Sequence, residues 1–235
     1  MDFIVEGFTQ AFSLIIHLDP ELLNIIVLSL EVSGIALIVA SCLGVPAGSA
    51  LGLKKFRGRG FLISLSNAFM GLPPVVVGLF VYLLLSRRGP LGFMGLLYSP
   101  SAMIVAQAIL IFPIVTSLCQ SAVVSVDPII RQAAFTLGAT PWQTSMTVMR
   151  EARYGILSGI IAGLGRAMGE VGAILIVGGN IAGYTRVMTT TIALETDKGN
   201  FELALALGII LVIISVLINI GLHLIQRKGM VKILR

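Results

Sequence analysis

The sequence has few charged residues and little of the chemistry on which soluble enzymes depend. Only 11% of its 235 residues are Asp, Glu, Lys or Arg, whereas 57% are hydrophobic and the mean hydropathy is +1.02. These values exclude a soluble globular domain and are typical of a polytopic membrane protein. The net charge of +5 does not indicate nucleic-acid binding, because the basic residues form short clusters between apolar runs.

Catalytic and metal-binding patterns are also missing. Cys42 and Cys119 each lie inside an apolar run, which favours small buried side chains over a disulfide or a metal site. The sequence has no GxxxxGK[ST] nucleotide-binding loop, no cluster of metal ligands and no nucleophile beside a paired base. We therefore expect a chain with no catalytic site and no cofactor, unable to hydrolyse ATP by itself.

Long apolar runs are what the sequence does contain. Five of them approach or exceed the roughly 20 residues that a spanning helix needs, at about 22–53, 61–85, 102–126, 154–180 and 203–225. The pattern predicts an all-α polytopic membrane protein with five transmembrane helices in one domain, residues 22–230.

The N-terminal segment, residues 1–21, differs from these runs. Its apolar stretch 3–17 is too short to span a bilayer, and no basic residue precedes it, so a cleaved signal peptide is not indicated. We expect a short amphipathic helix at the membrane interface, with a buried half-helix as the alternative.

The basic residues predict the orientation of the spans. With five spans, the loop after the first run, the central stretch and the C-terminus lie on one side and carry eleven Lys and Arg residues, against four on the other side. The N-terminal segment is acidic. By the positive-inside rule, we expect the C-terminus and the central stretch in the cytoplasm and the N-terminus outside, in the inner or plasma membrane.

The longest polar interruption, residues 127–153, predicts two short capped helices. Asp127 can cap the first helix, and a proline follows at the first helical position. Gly138 supplies a stop, and Thr140 with Gln143 forms a capping box that begins the second helix. Because this unit lies on a water-facing side of a membrane protein, we expect it to bind a partner.

Two of the runs contain features that plain anchors lack. Gly71, Pro73 and Pro74 interrupt the second run, which predicts a kinked or broken span, either as a structural kink or beside a transport path. Arg166 and Glu170 lie four apart in the fourth run and should face the protein interior. They predict either a self-neutralising pair that fastens the bundle or a polar element beside an anion pathway.

Small residues recur at four-residue intervals in two runs. Such stripes predict close helix–helix contact, and for the fourth run we weigh a pathway-lining role equally. The stripes comprise Gly44, Gly48 and Gly52 in the first run and Gly155, Gly159 and Gly163 in the fourth.

The central stretch resembles the cytoplasmic signature of bacterial ABC-importer permeases, Glu-Ala-Ala, three residues, Gly, nine residues, then Ile-x-Leu-Pro. Residues 132–134, Gln-Ala-Ala, and Gly138 match its first half apart from Gln for Glu, whereas residues 148–151, Val-Met-Arg-Glu, depart from its second half. With residues 71–78, GLPPVVVG, and 166–173, RAMGEVGA, the chain from about 22 to 230 is similar to the molybdate/tungstate branch, closest to tungstate-transport permeases.

This resemblance implies the type I ABC-importer permease fold with a cytoplasmic coupling helix. It implies a homodimer, cytoplasmic ATPase subunits that bind ATP and Mg, and an extracytoplasmic oxyanion-binding protein. The coupling helix would dock in a groove of the ATPase, whose closure would switch the permease from inward-open to outward-open. The residues expected to couple to the ATPase are Gln132, Ala133, Ala134, Gly138, Thr140 and Trp142. Trp142 has a buried position at the lipid interface as its alternative.

The expected function is import of an oxyanion, tungstate or molybdate, by alternating access. The expected path includes Gly71, Pro73, Pro74, Arg166 and Glu170. Because the anion must not be held tightly midway, we expect weak dipolar lining, with selection mostly on the binding protein. The alternatives are an ABC permease for sulfate, phosphate or an amino acid, and a secondary transporter in which Arg166 and Glu170 couple an ion.

Overall fold

The computed structural model describes Thr9, Ser13 and residues 20–231, without the side chains of 222, 223 and 225–231. This part of the chain forms α-helices and one 3₁₀ turn, Gly92–Met94. The α-helices, in chain order, are α1 Pro20–Leu53, α2 Arg59–Phe69, α3 Pro74–Leu85, α4 Pro100–Val124, α5 Pro128–Thr136, α6 Pro141–Met168, α7 Gly172–Gly178, α8 Met188–Asp197 and α9 Phe201–Val231.

The spans agree with the predicted five when two helix pairs are each counted as one. Within the described residues, three helices are long and apolar enough to cross a membrane alone: α1, α4 and the Phe201–Gly221 part of α9. The pairs α2–α3 and α6–α7 pass the same test together, bent by 102° and 59° at short breaks. The amphipathic helix predicted for 3–17 lies outside the described residues, apart from Thr9 and Ser13.

The break predicted in the second run is confirmed. Helix α2 ends at Phe69 and α3 begins at Pro74, with Pro73 in extended backbone at φ −66° and ψ 124°. Pro74 occupies the first helical position, where its missing N–H leaves no hydrogen bond unmade.

Two predictions about the fourth run are corrected. The second helix of the central stretch is not short, because α6 continues from Pro141 through the apolar run to Met168. The run is also not one helix to 180, since it breaks after Met168 and resumes as α7 at Gly172. Glu170 therefore lies between two helices rather than one turn after Arg166 on the same helix.

The chain divides into two compact units. Unit 1 contains the described residues up to Ala36, Pro73–Ala108 and the described residues from Gly165 onward. Unit 2 contains Leu37–Leu72 and Ile109–Leu164. Helices α1, α4 and α6 each have a part in both units.

The glycine stripes set the packing of unit 2. A Cβ on Gly48 would overlap the backbone oxygen of Thr116 in α4, and one on Gly52 would lie 2.6 Å from Val123. On α6, a Cβ on Gly155 would lie 2.6 Å from Ala122. Both stripes therefore let a neighbouring helix approach α4, as predicted, and the fourth-run stripe is accounted for by packing.

Apolar clusters fill both units. In unit 1, the buried cluster joins α1, α8 and α9 through Leu22, Ile25, Met188, Ala206, Leu207 and Ile210. In unit 2, it joins α4 and α6 through Cys119, Val123, Val148, Ala152 and Ile156. Cys119 is fully buried, as predicted, whereas Cys42 is exposed.

Candidate functional site

The central stretch begins with α5, a short helix with none of its residues buried. The Asp127 carboxylate accepts a hydrogen bond from the Ile129 N–H at 2.9 Å and so caps the helix, as predicted. Pro128 fills the first helical position. Because α5 packs little surface, these local bonds are a large share of what defines its start.

The turn after α5 depends on Gly138. Its φ of +79° lies in the left-handed region, and a Cβ there would meet nothing within 4 Å. The need for glycine is thus conformational and not steric. The Gly138 N–H donates to Phe135 O and the Ala139 N–H to Ala134 O, both at 3.0 Å, which close the end of α5.

The predicted capping box restarts the helix. The Thr140 N–H donates to Gln143 Oε1 at 2.8 Å, and the Gln143 N–H donates to Thr140 Oγ1 at 3.3 Å. Helix α6 follows directly at Pro141. The helix–turn–helix predicted from the sequence is therefore confirmed as local structure, although its second helix is long.

Large apolar side chains project from this segment. Leu137 is 87% exposed and Trp142 73% exposed, so Trp142 is not buried within the chain. Ile129 and Phe135 are also exposed. Sequence reasoning missed Leu137, because no local motif singles it out. These side chains give the segment an exposed apolar surface.

The second candidate region is the break between α6 and α7. Glu170 is only 2% exposed, and its Oε1 accepts a hydrogen bond from the Ala173 N–H at 3.0 Å. Its Oε2 lies 3.6 Å from Arg166 Nη2, with the Arg166 side chain 35% exposed. The carboxylate caps α7 and is paired with a cation, as the bundle-fastening interpretation requires.

Side chains distant in sequence complete the hydrogen bonds of this break. Gln107 Nε2 in α4 donates to Ala167 O at 3.1 Å, and Thr189 Oγ1 in α8 donates to Glu170 O at 2.8 Å. Ser29 Oγ in α1 accepts from the Met188 N–H at 2.9 Å, which fixes the start of α8. Sequence reasoning treated Gln107 only as a general inter-helix partner and missed Thr189, because neither has a local motif.

The later halves of the two broken spans lie side by side within unit 1. A Cβ on Gly78 of α3 would lie 2.8 Å from Ala173 Cα, and one on Gly172 would lie 3.1 Å from Val75. Val75 is paired with Gly172, and Gly78 with Ala173, so residue numbers increase in the same direction along both helices. Helices α3 and α7 are therefore parallel, with both N-termini at one end. The fold thus brings Pro74 close to Gly172 and to the capped break at Glu170.

The predicted site residues fall into both units. Pro73, Pro74, Arg166 and Glu170 belong to unit 1, where the start of α3 meets the start of α7. Gly71 belongs to unit 2 and is exposed. All six residues expected to couple to the ATPase also belong to unit 2. Within the described residues, no group of His, Cys, Asp and Glu is arranged to hold a metal ion.

Comparison with known proteins gives relatives along nearly the whole chain. The chain is 41% identical over 228 residues to a tungstate uptake permease of Peptoclostridium acidaminophilum, covering 97% of this chain and all of the relative. It is 45% identical over 203 residues to a probable anion ABC transporter permease of Haloferax volcanii, covering 84% and 88% of the two chains. A molybdenum transport permease of Escherichia coli is 32% identical over 225 residues, covering 89% and 96%.

Solved structures give the same fold. A methionine ABC transporter in an inward-facing conformation matches with a TM-score of 0.70 at 17% identity, covering 89% of this chain and 96% of that one. A bacterial alginate ABC transporter, in complex with a periplasmic protein that binds an alginate pentasaccharide, matches with a TM-score of 0.73 at 20% identity, covering 96% and 86%. The type I importer permease fold is therefore confirmed.

The family model described as the inner membrane component of binding-protein-dependent transport systems matches residues 44–229. This match includes the central helix–turn–helix and both broken spans. The chain, a multi-pass membrane protein, therefore belongs to the family of inner membrane permease components of binding-protein-dependent ABC transporters.

Proposed function

We propose that this chain is the permease subunit of an ATP-driven importer that moves tungstate, and also molybdate, into the cytoplasm. The observation that carries the proposal is the 41% identity to a tungstate uptake permease along 97% of the chain. The molybdenum permease is more distant, at 32% identity. Both anions are doubly charged tetrahedral species of similar size, so one path can serve both.

The segment from Asp127 to Trp142 is the proposed docking site for the ATPase. Gln132, Ala133 and Ala134 lie on α5, whose surface is free within this chain and whose small alanines permit close approach by a partner. Leu137 and Trp142 would insert into an apolar groove of the ATPase. The ATPase binds ATP and Mg, and its closure would push α5 as a rigid body and drive alternating access.

The proposed path passes the adjoining starts of α3 and α7. Arg166 is the cation there, and its ion pair with Glu170 reduces its electrostatic attraction for a passing anion. That suits transport, because an anion held tightly midway would not leave. Gly71, Pro73 and Pro74 supply the non-helical backbone of the other broken span, where polar groups can face water.

The assembly we propose is a homodimer of this chain with two ATPase subunits and an extracytoplasmic oxyanion-binding protein. Its N-terminus would lie outside and its C-terminus in the cytoplasm, as the basic residues favour. The chain would contribute no catalytic group. The 45% identity to a probable anion permease favours a second candidate, the same machine with another anion such as sulfate or phosphate as cargo.

The decisive experiment reconstitutes the purified chain with the ATPase and the binding protein encoded beside it. Proteoliposomes should take up tungstate when ATP is enclosed with the ATPase, and should take up none without ATP. Uptake by the chain alone would indicate a secondary transporter instead. ATP-driven uptake of sulfate but not tungstate would assign the other cargo, and calorimetry on the binding protein would identify the preferred anion independently.

A further inference from the structure

The loop that joins α1 to α2 carries a cluster of cations beside exposed aromatic rings. Lys54, Lys55 and Arg57 follow directly on the last residue of the membrane-spanning α1, and all three are exposed. Phe56 lies among them and is 46% exposed, and Phe61 on the first turn of α2 is 70% exposed. These five residues form the basic loop.

Two nearby arginines donate hydrogen bonds to the end of α1, whereas the cations of the basic loop do not. Arg59 Nε donates to Leu51 O at 2.6 Å, and Arg131 Nη2 donates to Leu53 O at 3.4 Å. Both oxygens lie in the last turn of α1, where a helix has no N–H of its own for its carbonyls. Among the residues that the structure describes, the side chains of the three cations of the basic loop form no ion pair or hydrogen bond.

Within unit 2, few acidic residues oppose this charge. Unit 2 contains seven basic residues and two acidic ones, Asp127 and Glu151. Both acidic residues lie on the Ile109–Leu164 part of the unit, and the Leu37–Leu72 part, with the basic loop, has none. The Asp127 carboxylate is already the acceptor that caps α5.

We propose that the basic loop binds the headgroup phosphates of anionic phospholipids in the adjoining membrane leaflet. The loop begins where a spanning helix ends, so its residues meet the headgroup layer and not bulk water. Basic residues at that depth attract anionic lipid, and exposed phenylalanine rings beside them can enter the boundary with the acyl chains. The inference rests on α1 spanning the membrane and is independent of the transported anion.

The test measures lipid binding to the full-length chain in detergent by native mass spectrometry. Phosphatidylglycerol and phosphatidylcholine are titrated separately onto the wild type and onto Lys54→Gln/Lys55→Gln. Each cation removed should weaken phosphatidylglycerol binding about five-fold, so the double variant should bind about 25-fold more weakly. Phosphatidylcholine binding should not change, and inorganic phosphate should not compete.

The matched control is Arg87→Gln/Arg88→Gln, which removes two adjacent exposed cations between α3 and α4. It should weaken phosphatidylglycerol binding less than the first pair does, because no phenylalanine lies within four residues of Arg87 and Arg88. Equal weakening in both pairs, no weakening in the first pair, or competition by inorganic phosphate would each overturn the proposal. The proposal would also be overturned if Lys54→Gln/Lys55→Gln bound lipid normally but no longer copurified with the ATPase. The basic loop would then bind a protein partner.

Folding is checked separately from lipid binding. Thermal unfolding of each variant in detergent should match the wild type, since the removed groups form no ion pair or hydrogen bond among the described residues. Should the double variant not fold, the single variant Lys55→Gln should show the five-fold loss, and Lys55→Arg should restore binding. A single variant with wild-type affinity would count against the proposal equally.

Discussion

Helix α6 lies between two interruptions that are built in different ways. The turn before it, around Gly138, is exposed, and its hydrogen bonds join residues at most five apart in sequence. The break after it, at residues 169–171, is buried around Glu170 and receives bonds from Gln107, 60 residues earlier, and Thr189, 19 residues later. The first interruption is thus defined by local bonds, whereas the second is also bonded to residues of other helices.

The difference separates an interruption that is defined by its own residues from one that depends on other helices of the fold. The hydrogen bonds around Gly138 join neighbouring residues, so the shape of this turn does not depend on bonds from other helices. A buried break leaves backbone groups that have no helical partner, and in a membrane these must be paired by protein side chains.

The largest expected effect follows from replacing Gly138. Gly138→Val places a β-branched residue at φ +79°, which costs about 1–2 kcal/mol and changes the path of the chain between α5 and α6. Membrane insertion should be normal, and ATP-driven tungstate uptake in proteoliposomes should be abolished. The control is Gly221→Val, at a helical glycine with open space, which should leave uptake unchanged. Normal uptake by Gly138→Val would mean that the turn has no part in coupling.

The second effect compares two capping carboxylates. Glu170→Ala removes a buried acceptor from the Ala173 N–H and the partner of Arg166, and should lower the free energy of unfolding by about 3 kcal/mol. Asp127→Ala removes an exposed cap and should cost about 1 kcal/mol of local helix stability. Thermal unfolding in detergent should show a large shift for the first and little for the second.

Glu170→Gln sharpens this comparison. It keeps an oxygen that can accept from the Ala173 N–H and removes only the charge, so its loss should be smaller than that of Glu170→Ala. Equal shifts in thermal unfolding for Glu170→Ala and Asp127→Ala would contradict the distinction between the buried break at Glu170 and the exposed cap of α5.

A smaller effect is expected for the long-range partners of the break. Gln107→Leu and Thr189→Val each remove one hydrogen bond to a backbone oxygen and should each cost about 1 kcal/mol. Thr140→Val, which removes one bond of the exposed capping box, should change global unfolding by less. Thermal unfolding checks all three, and a larger effect at Thr140 would reverse the order proposed here.

The smallest effect depends on pH. Glu195 lies outside the membrane-spanning segments, and a hydrogen bond from Lys198 Nζ at 2.7 Å lowers the pKa of its carboxyl below the ordinary 4.5, although burial opposes the shift. A lowered folded pKa stabilises the fold fully above pH 4.5, and this contribution is lost as the pH falls from 4.5 through the folded pKa. The free energy of unfolding should decrease over that interval in the wild type.

Glu195→Gln is the control for this prediction. It removes the titrating group, so the part of the pH dependence that belongs to Glu195 should disappear. A decrease of the same size in Glu195→Gln would assign the acid sensitivity to other carboxyls.

The features of this fold that could be predicted are those encoded by neighbouring residues. Apolar runs of spanning length placed the helices, the Pro73–Pro74 pair placed the first break, and Thr140 with Gln143 placed the restart of the helix. The break after Met168 was missed because Gly169 and Gly172 are tolerated inside a helix, and no proline marks the site. Helix α8 was missed too, since its polar threonines interrupt any apolar pattern.

The sequence by itself determined how many apolar segments the chain contains, which side of them is basic, and how the central segment is capped, because each depends on composition or on bonds a few residues long. Only the tertiary structure decided that Glu170 caps α7 at a break and that α3 and α7 lie side by side. Those features depend on Gln107, Thr189 and Gly78, whose partners are chosen by packing across the fold and not by position along the chain.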